Sequence, residues 1–151
     1  MPGEIQVMSA GTGVTHSEFN ASNQESLKLF QIWIFPDRQN VTPRYDQKTI
    51  ASLLKPNTLT PIVVPRDTAQ ENQLWIHQNA YFYWGDFDQD INYTFTTSGP
   101  GQGIYLMVVE GAASIDQQTL GKRDAMGIWE TQKLEISIEA NTKILALEVP
   151  M

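Results

Sequence analysis

The chain has 151 residues, 41% of them hydrophobic and 18% charged, which suits one ordinary folded domain and excludes a disordered polar chain. Its formal net charge of −7 argues against a general nucleic-acid-binding protein, because such binding relies on lysine and arginine neutralising phosphates. Cysteine is absent, which excludes disulfides, thiolate metal sites and cysteine nucleophiles. The sequence shows neither a secretory signal nor an apolar run of about 18 residues, so we expect a cytoplasmic protein without a membrane span.

The predicted elements are mostly β-strands, because short apolar or alternating segments are separated by turn residues. In chain order these strands are 5–9, 14–19, 27–35, 62–64, 74–77, 81–87, 91–97, 104–110, 113–115, 125–129, 134–139 and 143–149. One short helix is predicted at 47–54, with Asp46 as its cap and Pro56 beyond its end. Many short strands at this spacing predict an all-β sandwich or barrel.

Two parts can be distinguished along the chain. Residues 1–46 hold three predicted strands and end in a predicted linker, whereas residues 47–151 hold enough strands to close a small barrel alone. The third strand, 27–35, is apolar on both faces, and such a strand is normally buried on both. The sequence therefore predicts that something else covers the first part.

The stretch QVMSAGTGVTHSEFN, residues 6–20, contains a candidate metal site. His16 and Glu18 are two positions apart, so on an extended strand both side chains point to the same face. Imidazole and carboxylate are common ligands of divalent metals, although two ligands rarely hold a catalytic metal alone. By spacing alone, a solvated pair that binds no metal is the favoured interpretation, because His and Glu two positions apart occur often by chance. We interpret the Gly11-Thr12-Gly13 sequence as a tight turn that orients His16.

The same stretch closely resembles the pirin family, as do other parts of the chain in unbroken order. The matching stretches are Pro2-Gly3-Glu4, QVMSAGTGVTHSEFN, LKLFQIWIFPD, TPRYDQ, GIYLMVVEGAASID, DAMGIWE and LEISIEANTKILALEVP. The resemblance implies two cupin barrels, of which the first binds a metal, usually iron, and the second is usually metal-free. It also implies that residues 1–46 are the last strands and linker of an incomplete first barrel, and that 47–151 are a complete second one.

The resemblance further implies that His16 and Glu18 are two of four metal ligands. The other two family ligands form a His-x-His pair on an earlier strand, and this sequence contains no such pair. Some pirin-like proteins resemble quercetin 2,3-dioxygenases, in which a flavonol chelates the metal, loses a proton to a nearby carboxylate and reacts with dioxygen. In that scheme Glu18 is both a ligand and the catalytic base.

The sequence is consistent with four alternatives for what the chain does. The chain is an oxygenase if an N-terminal half-barrel on another chain supplies the missing ligands. It is a non-catalytic protein-binding or regulatory module if the open edge near residues 5–19 recruits a partner. A homodimer through that edge would bring two copies of His16 and Glu18 into one site. The remaining alternative is a fragment in which only the second barrel folds.

Other chemistry-bearing residues have simpler interpretations. His77 lies outside the matched motif without an acidic residue two positions away, and we interpret it as structural. The aromatic run 81–84 lacks the basic residues of a single-strand-binding platform, which favours barrel core and a surface belt. Asp86, Asp88 and Asp90 lack the glycine and distal glutamate of a calcium loop, which favours a solvated hairpin turn.

Overall fold

The computed structural model describes residues 3–71 and 73–151. These residues form twelve β-strands and one turn of 3-10 helix at Arg66–Thr68, which confirms the all-β fold class. The strands are β1 (Glu4–Ser9), β2 (Arg44–Thr49), β3 (Thr60–Pro65), β4 (Leu74–Ile76), β5 (Tyr81–Phe87), β6 (Ile91–Thr96), β7 (Gln102–Glu110), β8 (Ala113–Ile115), β9 (Gln118–Leu120), β10 (Ala125–Ile128), β11 (Lys133–Ile138) and β12 (Thr142–Pro150). Within the described ranges, no helix has the length and apolar character needed to cross a bilayer.

Ten of the strands form two sheets around one hydrophobic core. The larger sheet has the order β10-β7-β12-β5-β3-β4, and the smaller has the order β6-β11-β8-β9. Buried and exposed side chains alternate most clearly in β11, where every second side chain is buried. The buried core comprises Leu59, Phe87, Phe95, Ile104, Leu106, Val108, Ala113, Ile115, Leu120, Leu134, Ile136, Ile138, Ile144 and Ala146.

Strand β12 lies inside the larger sheet and pairs antiparallel with both β5 and β7. It carries Glu148, a fully buried carboxylate. The side chain accepts hydrogen bonds from the Ser98 backbone N–H and hydroxyl, both at 2.6 Å, and from the Tyr83 hydroxyl at 2.9 Å. Burial, together with the adjacent Glu148 carboxylate, raises the pKa of Tyr83 far above its usual range. These hydrogen bonds connect the turn after β6 to strand β12.

Strands β1 and β2 form a separate two-stranded antiparallel sheet. This sheet packs on the barrel through Val7, which is buried against Val63 and Leu74. The predicted helix at 47–54 is therefore wrong, since its first residues belong to β2. Only a single turn follows, in which the Leu54 N–H donates to the Ile50 carbonyl at 3.2 Å. Pairing with β1 overrides the local helical spacing of the apolar residues.

The connection between β1 and β2, residues 10–43, contains no strand or helix. The strands predicted at 14–19 and 27–35 are therefore wrong for this chain. A strand needs a neighbouring strand to bond its N–H and C=O groups, and none of the described residues offers one here. The connection touches the barrel at a few points, including a 2.8 Å hydrogen bond from the Gln78 side chain to the Phe35 carbonyl. The proposed division between 1–46 and 47–151 stays a prediction.

Candidate functional site

The candidate metal ligands lie just beyond a tight turn at the end of β1. The Gly13 N–H donates to the Ala10 carbonyl at 2.8 Å, and the Thr12 N–H donates to the Val41 carbonyl at 3.2 Å. Gly11 adopts a positive φ of 52°, and a Cβ there would lie only 1.9 Å from the Val41 oxygen. The predicted turn is thus confirmed, and only glycine fits at position 11 without moving the opposing backbone.

His16 and Glu18 are both exposed in the connection that follows this turn. Across residues 3–71 and 73–151, no group of three or more histidine, aspartate or glutamate side chains is placed to hold a metal ion. The donor types of His16 and Glu18 suit iron or nickel, but their number does not suffice for a stable site. The assignment of His16 and Glu18 as metal ligands therefore stays a prediction.

The surroundings of these two residues are unusually apolar for a surface. We call residues 14–35 the apolar segment; its Trp33 and Phe35 side chains are 86% and 92% exposed. The other large apolar side chains exposed in it are Val14, Phe19, Leu27, Leu29, Phe30 and Ile32. Exposed apolar patches of this size are uncommon on monomeric proteins, so the apolar segment is a candidate interaction surface.

A second concave region lies between the connection and the barrel. This groove has a volume of about 480 Å³ and is lined by Arg38, Asn40, Val41, Thr42, Pro43, Arg44, Arg66, Trp75 and His77. The Arg44 guanidinium stacks on the Trp75 ring, 3.7 Å from its centroid, and donates to the Trp75 carbonyl at 3.0 Å. Sequence reasoning missed this groove because its arginines are far apart in the chain and share no motif.

His77 is buried beside that groove, in agreement with its interpretation as a structural residue. Its ring meets Trp75 edge-on with centroids 5.1 Å apart, and its Nδ1 has no hydrogen-bond partner among the described residues. Burial lowers the pKa of His77 below 6.5, and the positive charges of Arg38, Arg66 and Arg44 lower it further against the opposing effect of Asp37.

The lowered pKa of His77 predicts a pH dependence of stability. Because the unfolded chain then binds a proton more readily than the folded chain, the free energy of unfolding should fall as the pH drops through 6.5 towards the lower folded-state pKa. Urea unfolding across this pH range checks the prediction, and His77→Gln should flatten the dependence. His16→Gln is the matched control, and an equal flattening by both variants would contradict the assignment.

Two family models match separate stretches of the chain. The family model described as the quercetinase C-terminal cupin domain matches residues 62–149, and the pirin model matches residues 1–34. The chain belongs to the pirin family. The expected family and the cupin-like fold are both confirmed.

Two of the matches, both to Escherichia coli, extend over nearly the whole chain. A quercetin 2,3-dioxygenase of strain K12 is 32% identical over 149 residues, covering 98% of this chain and 62% of that protein. The crystal structure of bacterial pirin YhhW in complex with nickel(II) superposes with a TM-score of 0.86 at 30% identity, covering 98% of this chain and 62% of that one. The chain thus spans less than two thirds of the length of these relatives.

A more distant structure, the quercetin 2,3-dioxygenase of Acinetobacter baumannii, has a TM-score of 0.61 at 16% identity. The match covers 76% of this chain and 39% of the Acinetobacter baumannii chain. At this identity the similarity concerns the fold alone.

Proposed function

We propose that this pirin-family chain contributes His16, Glu18 and a cupin barrel to a metal-dependent quercetin 2,3-dioxygenase whose metal site is completed outside these 151 residues. An N-terminal half-barrel is the partner that would supply the remaining ligands. The observation that carries the proposal is the exposed apolar segment around His16 and Glu18. Support comes from the E. coli quercetin 2,3-dioxygenase and from the nickel(II) complex of YhhW.

In this proposal each residue of the half-site has its own role. A ring nitrogen of His16 and a carboxylate oxygen of Glu18 would hold the metal, which is usually iron in the family. A Glu18 oxygen also accepts the proton of the flavonol hydroxyl. When bound, the metal supplies Lewis acidity towards the oxygens of the substrate.

The half-barrel would give the apolar segment the strand neighbours it lacks. Residues 14–19 and 27–35 combine β-forming and apolar side chains, so added strands would bond their backbones and bury their side chains together. In an ordered strand, His16 and Glu18 would then lie on one face. Completion of the site and folding of the segment are therefore expected to occur in one step.

Mixing the full chain with an N-terminal half-barrel that carries the family His-x-His pair tests the proposal. We expect a complex with about one metal per pair of chains and quercetin-dependent oxygen uptake. His16→Ala and Glu18→Ala should each weaken metal binding by more than about tenfold, because the loss of a residue that only supports a ligand already costs about 10- to 100-fold. Metal content is measured by mass spectrometry on complexes isolated by size exclusion.

Glu25→Ala is the control for this experiment, because Glu25 is an exposed carboxylate in the same apolar segment. It should leave metal content and oxygen uptake unchanged. A stable complex without metal, or metal retained equally in His16→Ala, would refute the assignment of the half-site.

The same exposed segment favours a second candidate function, in which the chain self-associates or binds another protein without catalysis. Both outer edges of the β1–β2 sheet are unpaired in the described residues, and such edges recruit further strands. A homodimer would bring two His16–Glu18 pairs together. Sedimentation with and without iron tests the homodimer, because that alternative requires the chain to be dimeric when no half-barrel is added.

A further inference from the structure

The groove beside Trp75 concentrates positive charge on an otherwise acidic chain. The sequence contains four arginines, at positions 38, 44, 66 and 123, and three of them line this groove. None of its lining residues is an aspartate or a glutamate. Because the whole chain has a net charge of −7, its composition alone does not account for three arginines in one groove.

The three arginines differ in how they are held. Arg44 is fixed by the Trp75 carbonyl and by Asp46, whose carboxylate lies 2.8 Å away, and Arg38 pairs with Asp37 at 3.0 Å. Among the described residues, the Arg66 guanidinium makes neither an ion pair nor a hydrogen bond, although it lies 5.3 Å from the Trp75 ring centroid. Arg66 is therefore the cation left available to an incoming group.

His77 provides a second and independent observation. It is buried at the groove, and its Nδ1 has no partner within the described part of the chain. Its carbonyl accepts the Asp37 N–H at 2.7 Å, which anchors the arginine-bearing connection to the end of β4. An unpaired buried ring nitrogen costs free energy unless a ligand or water satisfies it.

We propose that this groove binds a small organic anion through its carboxylate or phosphate group, with Arg66 as the principal charge partner. Guanidinium groups recognise both anions by paired N–H donors, and the Trp75 ring with its stacked Arg44 forms the wall of the site. A volume of about 480 Å³ accommodates a ligand of ordinary metabolite size. The proposal concerns the barrel and its connection and does not depend on metal binding.

Calorimetric titration of the full chain with inorganic phosphate and, separately, with benzoate tests the proposal. We expect saturable binding of at least one anion, with Arg66→Gln weakening it about tenfold or more, as for a lost charged hydrogen bond. Tighter binding of phosphate assigns the site to phosphorylated ligands, and tighter binding of benzoate assigns it to carboxylates. Indole N–H shifts of Trp75, followed by NMR in the same titration, place the ligand in this groove.

Arg123→Gln is the matched control, because Arg123 is the one arginine away from the groove and lies over Phe30 instead. It should bind both anions as tightly as the unchanged chain. Arg66 is exposed, so Arg66→Gln should fold normally, and circular dichroism verifies this. The proposal is overturned if neither anion binds saturably, or if Arg66→Gln and Arg123→Gln bind alike.

Discussion

Phe87→Ala should lower the free energy of unfolding by about 3–5 kcal/mol, the range for removing a large aromatic side chain from a packed core. Phe87 is 0% exposed, sits in the central cluster and meets Tyr93 edge-on with ring centroids 5.8 Å apart. The ring packs directly against the backbone of Gly85, where an added Cβ would overlap the Phe87 side chain. Urea unfolding followed by tryptophan fluorescence measures the loss.

Phe35→Ala is the control for this prediction, because the same atoms are removed from a side chain that is 92% exposed. It should change the free energy of unfolding by no more than about 0.5 kcal/mol. Equal effects of the two substitutions would mean that the core described here is not what holds the barrel together.

Glu148→Leu should lower the free energy of unfolding by at least about 3 kcal/mol, because three donors around this fully buried side chain lose their acceptor. The Ser98 N–H, the Ser98 hydroxyl and the Tyr83 hydroxyl all depend on this carboxylate. Burial and the neighbouring Glu148 carboxylate raise the pKa of Tyr83, so its hydroxyl stays protonated and donates to Glu148. Thermal and urea unfolding measure the loss.

Glu148→Gln should lower the free energy of unfolding by only about 1–2 kcal/mol. Its amide oxygen still accepts a hydrogen bond, whereas its NH₂ group lacks a suitable partner. Glu139→Leu changes an exposed glutamate in the same way and should have almost no effect. If Glu148→Leu were as stable as the unchanged chain, apolar packing would outweigh these hydrogen bonds, as it does for some buried ion pairs.

Elements defined by local patterns were predictable from sequence. The predicted bounds of 81–87 and 113–115 coincide with β5 and β8, and the alternation in β11 matches its buried and exposed faces. Strand β2, with the sequence RYDQKT, was missed because its polar residues lack an apolar face and its pairing with β1 is a long-range contact. Short β9 was missed for the same lack of an apolar pattern.

For the candidate sites too, local sequence identified individual residues but not the distant residues that surround them in the fold. Family resemblance singled out His16 and Glu18, but no property of those residues reveals what completes their coordination. Residues 14–19 and 27–35 have strand-like sequences and form no strands here, because a strand is stabilised by its neighbours rather than by its own propensity. The arginine groove arises only when β4 brings Trp75 beside Arg44 and Arg66.

The central position of β12 has a consequence for how the barrel folds during synthesis. Strands β5 and β7 both pair with β12, which comes after them in the chain, and Tyr83 and Glu148 are 65 residues apart. A ribosome-bound chain that has released β5 and β7 therefore still exposes their apolar faces and unpaired edges. Such long-range pairing folds slowly and favours aggregation or chaperone capture in the interval. We expect the barrel to acquire protease resistance only after residues 142–150 have emerged.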